Sequence, residues 1–212
     1  ILQREDPRDA FVSPQYARLE DLPQGAVVGT SSLRRQVLLH ALRPDLAIEP
    51  LRGNVNTLLR KLDEGQYAAI VLAAAGLKRL GLADRIRSTF EPSQMLPAAG
   101  QGALAIEVRS DRQDLLAALA PLADHTTWLT VTAERAVSRA MGGSCSMPLA
   151  AHGQWLGSSL RLAAAWGDLD GGAPLVRAQG DAAIGTLEQA DALGLRVAAA
   201  LQAAGARAEP RT

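Results

Sequence analysis

Three short apolar runs, the first two followed by residues that favour the start of a helix, constrain the fold of this chain more than any other feature. Residues 26–30 (AVVGT) lead directly into Ser31 and Ser32, and residues 47–51 (AIEPL) precede a second predicted helix. Residues 68–73 (AAIVLA) form an unbroken apolar run, which is typical of a parallel strand covered on both faces. Strands alternating with helices predict an α/β fold for the first hundred residues.

Capping residues set the limits of the two helices. Ser32 is a good N-cap for a helix that should end before Pro44, since proline disfavours helical geometry in the residue ahead of it. Asn54 is the equivalent cap for a helix whose apolar residues recur at three- and four-residue spacing until Gly65, a C-cap glycine. Both helices are therefore predicted as crossovers between parallel strands.

The second half of the chain has a different pattern. Residues 92–102, with two prolines and two glycines, predict a hinge or crossing segment. Beyond it we expect a small α+β module, separated from the first part near residues 121–124. Before this boundary we expect a strand at 103–108 and a helix at 113–119. The predicted elements of the module are a helix from Asp124 to about 140, strands at 149–153, 159–166 and 175–180, and a helix at 187–204.

Composition excludes several classes of function. With 22 Lys and Arg against 22 Asp and Glu, the formal net charge is zero, which disfavours nonspecific binding to nucleic acid or to anionic membranes. No apolar run approaches the roughly 20 residues that a membrane-spanning helix needs. The single cysteine and the three histidines have no metal-ligand spacing, so no metal is assigned. A chain with one cysteine and no signal segment is expected in the cytoplasm, and its start without Met suggests a piece of a longer protein.

Basic residues follow all three predicted strands. Arg34 and Arg35 lie in the first turn of a helix, beside the hydroxyls of Thr30 and Ser32, while Arg52 and Arg79 follow the next two strands. The carboxyl ends of parallel strands meet at one edge of a sheet, so these residues predict a crevice for a ligand with several acidic groups. The alternative is that the arginines are ordinary solvated surface residues.

Cys145 lies in the sequence GGSCSMP, where glycines and a proline would let the backbone approach a bulky group. Two interpretations remain open from the residues alone: a buried, inert thiol, or a covalent anchor for a ligand.

Six motifs occur together in one order: REDPRDAF (4–11), VGTSSLRRQ (28–36), LRGNV (51–55), AGLKRLG (75–81), LPAAGQGALAIE (96–107) and ERAVSRAMGGSCSMPLA (134–150). In this combination the chain resembles the porphobilinogen deaminase (hydroxymethylbilane synthase) family from end to end. The block around Cys145 is the most specific of the six, followed by the GTSSLRR motif.

The resemblance implies a fold. Members of this family have two domains similar to the lobes of periplasmic binding proteins and a third domain with a cysteine loop. We therefore expect an α/β lobe over residues 1–102, a strand and helix of the first domain over 103–122, and a C-terminal α+β domain that anchors the cofactor over 123–212.

The resemblance also implies a reaction and a cofactor. In the family, porphobilinogen units lose ammonia and are joined stepwise to a dipyrromethane cofactor, and hydrolysis releases the linear tetrapyrrole hydroxymethylbilane in porphyrin and haem biosynthesis. The family's cysteine holds this cofactor through a thioether bond, which implies covalent attachment at Cys145. The implied partner is the small molecule porphobilinogen, with no nucleic acid and no membrane, and the implied protein is a cytoplasmic monomer.

Residue roles follow from the matching positions. Besides Cys145, the implied cofactor-binding residues are Thr30, Ser32, Arg34, Arg35, Arg52, Ala73 and Gly76. The implied substrate-binding residues are Arg4, Arg79 and Gln101. The family's catalytic aspartate belongs to a segment that precedes Ile1, so no catalytic residue is expected within these 212 residues, and the chain alone is expected to be inactive.

Two points qualify the assignment of residues and function. Leu58 stands where the family usually has arginine, which puts one carboxylate contact in doubt, with Arg60 as a partial substitute. The alternative function, from another class, is a periplasmic-type binding protein for a carboxylated ligand, because a similar lobe can capture a ligand without chemistry.

Overall fold

A computed structural model describes residues 1–143, 147–169 and 174–208 and contains two β-sheets. The first sheet has five strands in the order β3-β2-β4-β1-β5. Its strands are β1 (Asp9–Val12), β2 (Val27–Gly29), β3 (Ala47–Glu49), β4 (Ala69–Ala73) and β5 (Ser88–Thr89). β2 pairs in parallel with β3 and β4, whereas β1 is antiparallel to β4 and β5. The predicted α/β lobe is confirmed, with an antiparallel strand that the sequence analysis did not predict.

The helices of this lobe begin at the predicted caps. The side chain of Ser32 accepts a hydrogen bond from Arg35 N at the start of α1 (Leu33–Leu42), and Asn54 Oδ1 accepts from Thr57 N at the start of α2 (Val55–Asp63). Gly65, just past α2, has a φ of 78°, a left-handed conformation that favours glycine. A short α3 (Ala74–Arg79) follows β4 without a loop, and two 3₁₀ turns at Leu19–Asp21 and Ala83–Arg85 complete the lobe.

The C-terminal part is an antiparallel three-stranded sheet in the order β6-β7-β8, packed against two helices. Its elements are α5 (His125–Ala140), β6 (Leu149–Leu156), β7 (Ser159–Trp166), β8 (Val176–Ala183) and α6 (Leu187–Ala203). α5 and α6 pack closely at Gly194, where an added Cβ would lie 2.4 Å from the carbonyl oxygen of Ala133. The predicted α+β module is confirmed, including the cap at Asp124, whose side chain accepts from Thr127 N.

The predicted strand at 103–108 is wrong. The helix α4 (Gln113–Leu119) forms as expected, but residues 103–108 pair with no strand in the part of the chain that the structure describes. Leu104 and Ile106 are 40% and 46% exposed. An alternating apolar pattern makes a segment suitable for a sheet, yet a strand also needs a neighbour that takes up its hydrogen bonds along its length, and among the described residues no strand lies there.

Two segments cross side by side between the lobe and the C-terminal module. Leu2 N donates to Leu104 O at 2.9 Å, and Glu5 N donates to Gly102 O at 3.0 Å. Gly102 has a φ of 83°, and a Cβ at this position would lie 2.5 Å from the carbonyl oxygen of Glu5. This close crossing explains the glycine in the predicted hinge segment. The domain limits proposed from the sequence stay a prediction.

No helix among the described residues combines the length and the apolar character that crossing a bilayer requires.

Candidate functional site

The three parallel strands β2, β3 and β4 end at the same edge of the first sheet. β2, β3 and β4 end at Gly29, Glu49 and Ala73, in a register that pairs Gly29 with Glu49 on one side and with Ile70 on the other. Thr30 and Ser32 follow β2, and Arg52 follows β3. The convergence of Arg34, Arg35, Arg52 and Arg79 in one crevice stays a prediction.

The antiparallel strand β1 adds a carboxylate to this edge. Because β1 runs against β4, its first residue, Asp9, pairs with Ala73, the last residue of β4. Asp9 is fully buried. Its Oδ2 accepts from Arg34 Nη1 at 2.7 Å, and its Oδ1 accepts from Arg34 Nη2 at 3.0 Å and from Arg35 Nε at 2.8 Å. Two of the predicted ligand-binding arginines are thus already paired with an acid of the chain itself.

Burial by itself would raise the pKa of Asp9, but the charges of Arg35 and Arg34 outweigh it and hold the pKa below the ordinary value of 3.8. The carboxylate is therefore ionised at neutral pH. Two guanidinium groups and one carboxylate leave a net charge of +1 at this point of the sheet edge.

Gln101 completes what we call the Asp9 cluster (Asp9, Arg34, Arg35 and Gln101). Its Oε1 accepts from Arg34 Nη2 at 3.2 Å, and its Nε2 donates to Asp9 Oδ1 at 3.1 Å and to Pro7 O at 2.6 Å. Arg34 Nη1 also donates to Leu96 O at 2.7 Å. The terminal nitrogens of Arg34 are therefore engaged, whereas its Nε is buried with no hydrogen-bond partner among the described residues.

Arg34 also lines a cavity of about 400 Å³ between the lobe and the C-terminal module. The walls come from the start of α1, from the crossing segment, from α5 and from β6, and the lining residues are Ser31, Ser32, Arg34, Ala98, Ala99, Ser138, Gly143, Met147, Leu149 and Ala151. Gly143 and Met147 are the described residues that flank positions 144–146 in the sequence. Cys145 itself lies outside the described residues.

A larger cavity of about 520 Å³ lies along the second half of α1. Its lining is mainly apolar, with Val37, Leu46 and Leu175 among it, and its one charged acid is Asp168. Among the described residues its walls contain the imidazole of His40 but no arginine or lysine, so this cavity is a poor match for a polyacidic ligand. The smaller cavity beside Arg34 is the better candidate.

Arg4, predicted to bind substrate, is held by a second buried carboxylate. Its Nη1 and Nη2 donate to Glu134 Oε1 at 2.7 Å and Oε2 at 3.1 Å, and its Nε donates to Gln101 O at 2.8 Å. Glu134, fully buried on α5, also accepts from Gly100 N at 2.7 Å and from Gly153 N at 2.8 Å. One carboxylate thus ties α5 and β6 to both crossing segments.

Burial by itself would raise the pKa of Glu134, but the nearby His152 ring and the Arg4 guanidinium bring it below the ordinary value of 4.5. His152 Nδ1 lies 3.3 Å from Glu134 Oε1. Glu134 was not singled out from the sequence; the available signal was an acid among the apolar positions of an otherwise buried helix face.

The other predicted residues are placed as follows. Arg52 and Arg79 are exposed, and neither has a salt bridge to a carboxylate among the described residues. Thr30 is buried, and its Oγ1 accepts from Ser32 N at 3.2 Å. Ala73 ends β4, and Gly76 lies in α3 with open space where a Cβ would be. Their contacts with a ligand stay a prediction.

At the position that departs from the family pattern, Leu58 is buried in the apolar core of the lobe. Arg60, the expected partial substitute, is exposed and pairs with Glu64 at 2.5 Å along α2. The pairing is local to the helix and ties Arg60 to its own element.

Comparisons with known proteins agree with these motifs. Residues 1–117 match the family model "Porphobilinogen deaminase, dipyromethane cofactor binding domain", and residues 128–203 match "Porphobilinogen deaminase, C-terminal domain". A porphobilinogen deaminase from Albidiferax ferrireducens is 72% identical over 204 residues, which cover 96% of this chain and 65% of that protein. A porphobilinogen deaminase from Burkholderia mallei is 58% identical over 208 residues, which cover 98% of this chain and 63% of that protein. The chain therefore spans somewhat less than two thirds of these relatives.

Solved structures show looser likenesses. A lipoprotein of the YaeC family from Enterococcus faecalis superposes with a TM-score of 0.37 at 18% identity, covering 59% of this chain and 64% of that one. A Bacillus subtilis lipoprotein described as "putative methionine-binding" gives a TM-score of 0.41 at 14% identity, and the match covers 57% of this chain and 59% of that one. Likenesses this weak add nothing to the assignment.

Proposed function

The chain belongs to the porphobilinogen deaminase family, and from this premise we propose that it takes part in hydroxymethylbilane synthesis. In this reaction porphobilinogen units are deaminated and joined stepwise into a linear tetrapyrrole, so the protein is a transferase of porphyrin biosynthesis. We also propose that it acts as a cytoplasmic monomer. Family membership favours this function over a periplasmic-type binding protein.

One observation carries the proposal. One side of the 400 Å³ cavity is the start of α1, with its hydroxyls and Arg34. The other side includes Gly143 and Met147, which flank positions 144–146 of the cysteine loop in the sequence. A group attached at Cys145 would therefore be within reach of a cationic helix start.

The residues of this cavity fit a dipyrromethane bearing carboxylate groups. Among the described residues, no acidic side chain lines the cavity, and none accepts a hydrogen bond from the buried Arg34 Nε. We propose covalent attachment at Cys145, with Thr30, Ser32, Arg34, Arg35, Arg52, Ala73 and Gly76 around the cofactor. When bound, the dipyrromethane supplies the free pyrrole carbon to which further units are joined.

The remaining steps concern the chain's own groups. The hydroxyl of Ser32 can donate to a carboxylate oxygen, because its lone pair already caps α1 and its proton is free. The exposed guanidinium group of Arg79 can bind a carboxylate of incoming porphobilinogen, and that of Arg52 can bind a carboxylate of the cofactor. We propose that Arg4 and Gln101 contribute to substrate binding through the crossing segments that they hold together.

The test is the state of the thiol in protein expressed from the complete reading frame that encodes these residues. In a loaded protein the thiol of Cys145 should resist alkylation, as read by mapping the peptide that contains it, and the intact mass should include a dipyrrole. Cys145→Ser should lose the adduct and the turnover of porphobilinogen. Ser110→Ala, at an exposed residue that does not line the cavity, leaves the thiol in place, serves as the control and should keep the adduct. A dipyrrole retained in the Cys145→Ser protein, or turnover with an unmodified thiol, would refute the proposal.

A further inference from the structure

The predicted cationic crevice contains an acid that the ligand-binding assignment leaves unexplained. Asp9 is 0% exposed, and its two oxygens accept four hydrogen bonds, from Arg34 Nη1, Arg34 Nη2, Arg35 Nε and Gln101 Nε2. Oδ1 accepts three of these bonds and Oδ2 one, so the chain itself supplies as many donors as the roughly four lone-pair sites of a carboxylate.

This pairing changes what the two arginines can offer a ligand. The planar fork of Arg34 faces Asp9, and its terminal nitrogens also donate to Leu96 O and Gln101 Oε1. The one nitrogen of Arg34 without a partner among the described residues is Nε, and it is buried. Arg35 presents only the nitrogens that do not contact Asp9. A ligand therefore meets single donors here and no open guanidinium fork.

Asp9 also lowers the net positive charge beside the cavity. Without it the two arginines would give +2 beside a cavity large enough for small inorganic anions; with it the net charge is +1. Phosphate and sulfate carry about two negative charges on a small volume, and losing their hydration requires strong local compensation. A site of charge +1 without an open fork compensates them poorly. A pyrrole ligand, whose carboxylates are spread over its rings, needs only one charge at this point.

We propose that Asp9 is a specificity-determining residue: it occupies the Arg34 fork and lowers the charge beside the cavity, so that the site rejects small divalent anions and stays open for a larger carboxylated ligand. The identity of that ligand rests on the function proposed above. The exclusion of small anions does not, and it can be measured without porphobilinogen.

The experiment compares sulfate binding by the wild-type chain, Asp9→Asn and a matched control, Asp45→Asn. Asparagine keeps the shape of Asp9 and removes its charge. Asp45 likewise pairs with an arginine, Arg43, at 2.7 Å, but it lies beyond the opposite end of α1 and is partly exposed. Titration calorimetry is run in dilute buffer and again with added sodium chloride.

For the wild type and Asp45→Asn we expect equally weak sulfate binding. For Asp9→Asn we expect at least roughly tenfold tighter binding that weakens as salt is added, because one extra positive charge acts within a few ångströms of the anion. A folded Asp9→Asn protein with wild-type sulfate affinity would overturn the proposal. So would an equal gain in Asp45→Asn, since it would show a general charge effect.

A destabilised variant also gives a result. If Asp9→Asn is unfolded in dilute buffer, sulfate should restore its near-ultraviolet circular dichroism at concentrations where chloride of equal ionic strength does not. Failure of sulfate to do so would count against the proposal. If the anion results hold while the wild type fails to bind porphobilinogen, the proposed function fails and the role of Asp9 stands.

Discussion

Glu134→Gln tests how the C-terminal module is held to the rest of the chain. The substitution keeps the volume of a fully buried side chain, removes its charge and replaces one acceptor oxygen with a donating amide. Arg4, whose side chain is only 12% exposed, then loses a bidentate partner, and either Gly100 N or Gly153 N faces another donor. Removing one member of a buried ion pair costs about 3–5 kcal/mol.

For a protein of this size, a loss of about 3 kcal/mol lowers Tm by roughly 6–12 °C. The unfolding of the module can be followed by tryptophan fluorescence, because Trp155 Nε1 donates to Thr130 Oγ1 at 2.8 Å, one turn before Glu134 on α5. Urea titrations monitored in this way give the free energy of unfolding for each variant.

The matched control is Asp181→Asn, which breaks the pair with Arg161 in the same module. The side chains of Arg161 and Asp181 are 48% and 53% exposed, and Arg161 Nε lies 3.3 Å from Asp181 Oδ1. Such surface pairs contribute about 0–1 kcal/mol. If Glu134→Gln costs no more than Asp181→Asn, the conclusion that Glu134 ties the module to the crossing segments is refuted.

Three further predictions concern acid stability, Gly102 and Arg79. The pKa values of Asp9 and Glu134 are lowered in the folded chain, so their ionised forms stabilise it fully above the ordinary pKa values of 3.8 and 4.5. This stabilisation is lost on further acidification, so the free energy of unfolding should decrease below about pH 4. An increase would contradict this. Gly102→Ala should destabilise the chain by about 1–3 kcal/mol in urea titrations, because of its φ of 83° and the Glu5 carbonyl, whereas Gly25→Ala, with a φ of 75° and open space, should cost less. Arg79→Gln should leave Tm unchanged and weaken porphobilinogen binding, measured calorimetrically, by roughly tenfold or more; unchanged affinity would remove Arg79 from the site.

Local sequence signals determined much of the secondary structure. The caps at Ser32, Asn54 and Asp124 predicted where three helices begin, and the apolar run at 68–73 predicted a buried parallel strand. These features depend on residues within a few positions of one another. A single sequence therefore contains the information that they need.

The same kind of signal failed where the partner is distant in the chain. Residues 103–108 have a strand-like pattern and no strand beside them, whereas the four residues of β1 form a central strand without a pattern long enough to predict it. A strand exists only when another backbone takes up its hydrogen bonds, and the sequence does not specify which backbone that is.

The candidate site shows the same division. The sequence by itself brought basic and hydroxyl residues to the carboxyl ends of three strands, because parallel crossover topology fixes that edge. Only the tertiary structure decided that Asp9 pairs with Arg34 and Arg35 at this edge, and that Glu134 on α5 pairs with Arg4. Electrostatic pairing depends on distances of a few ångströms between groups that are 25 to 130 residues apart in the chain, and folding alone sets those distances.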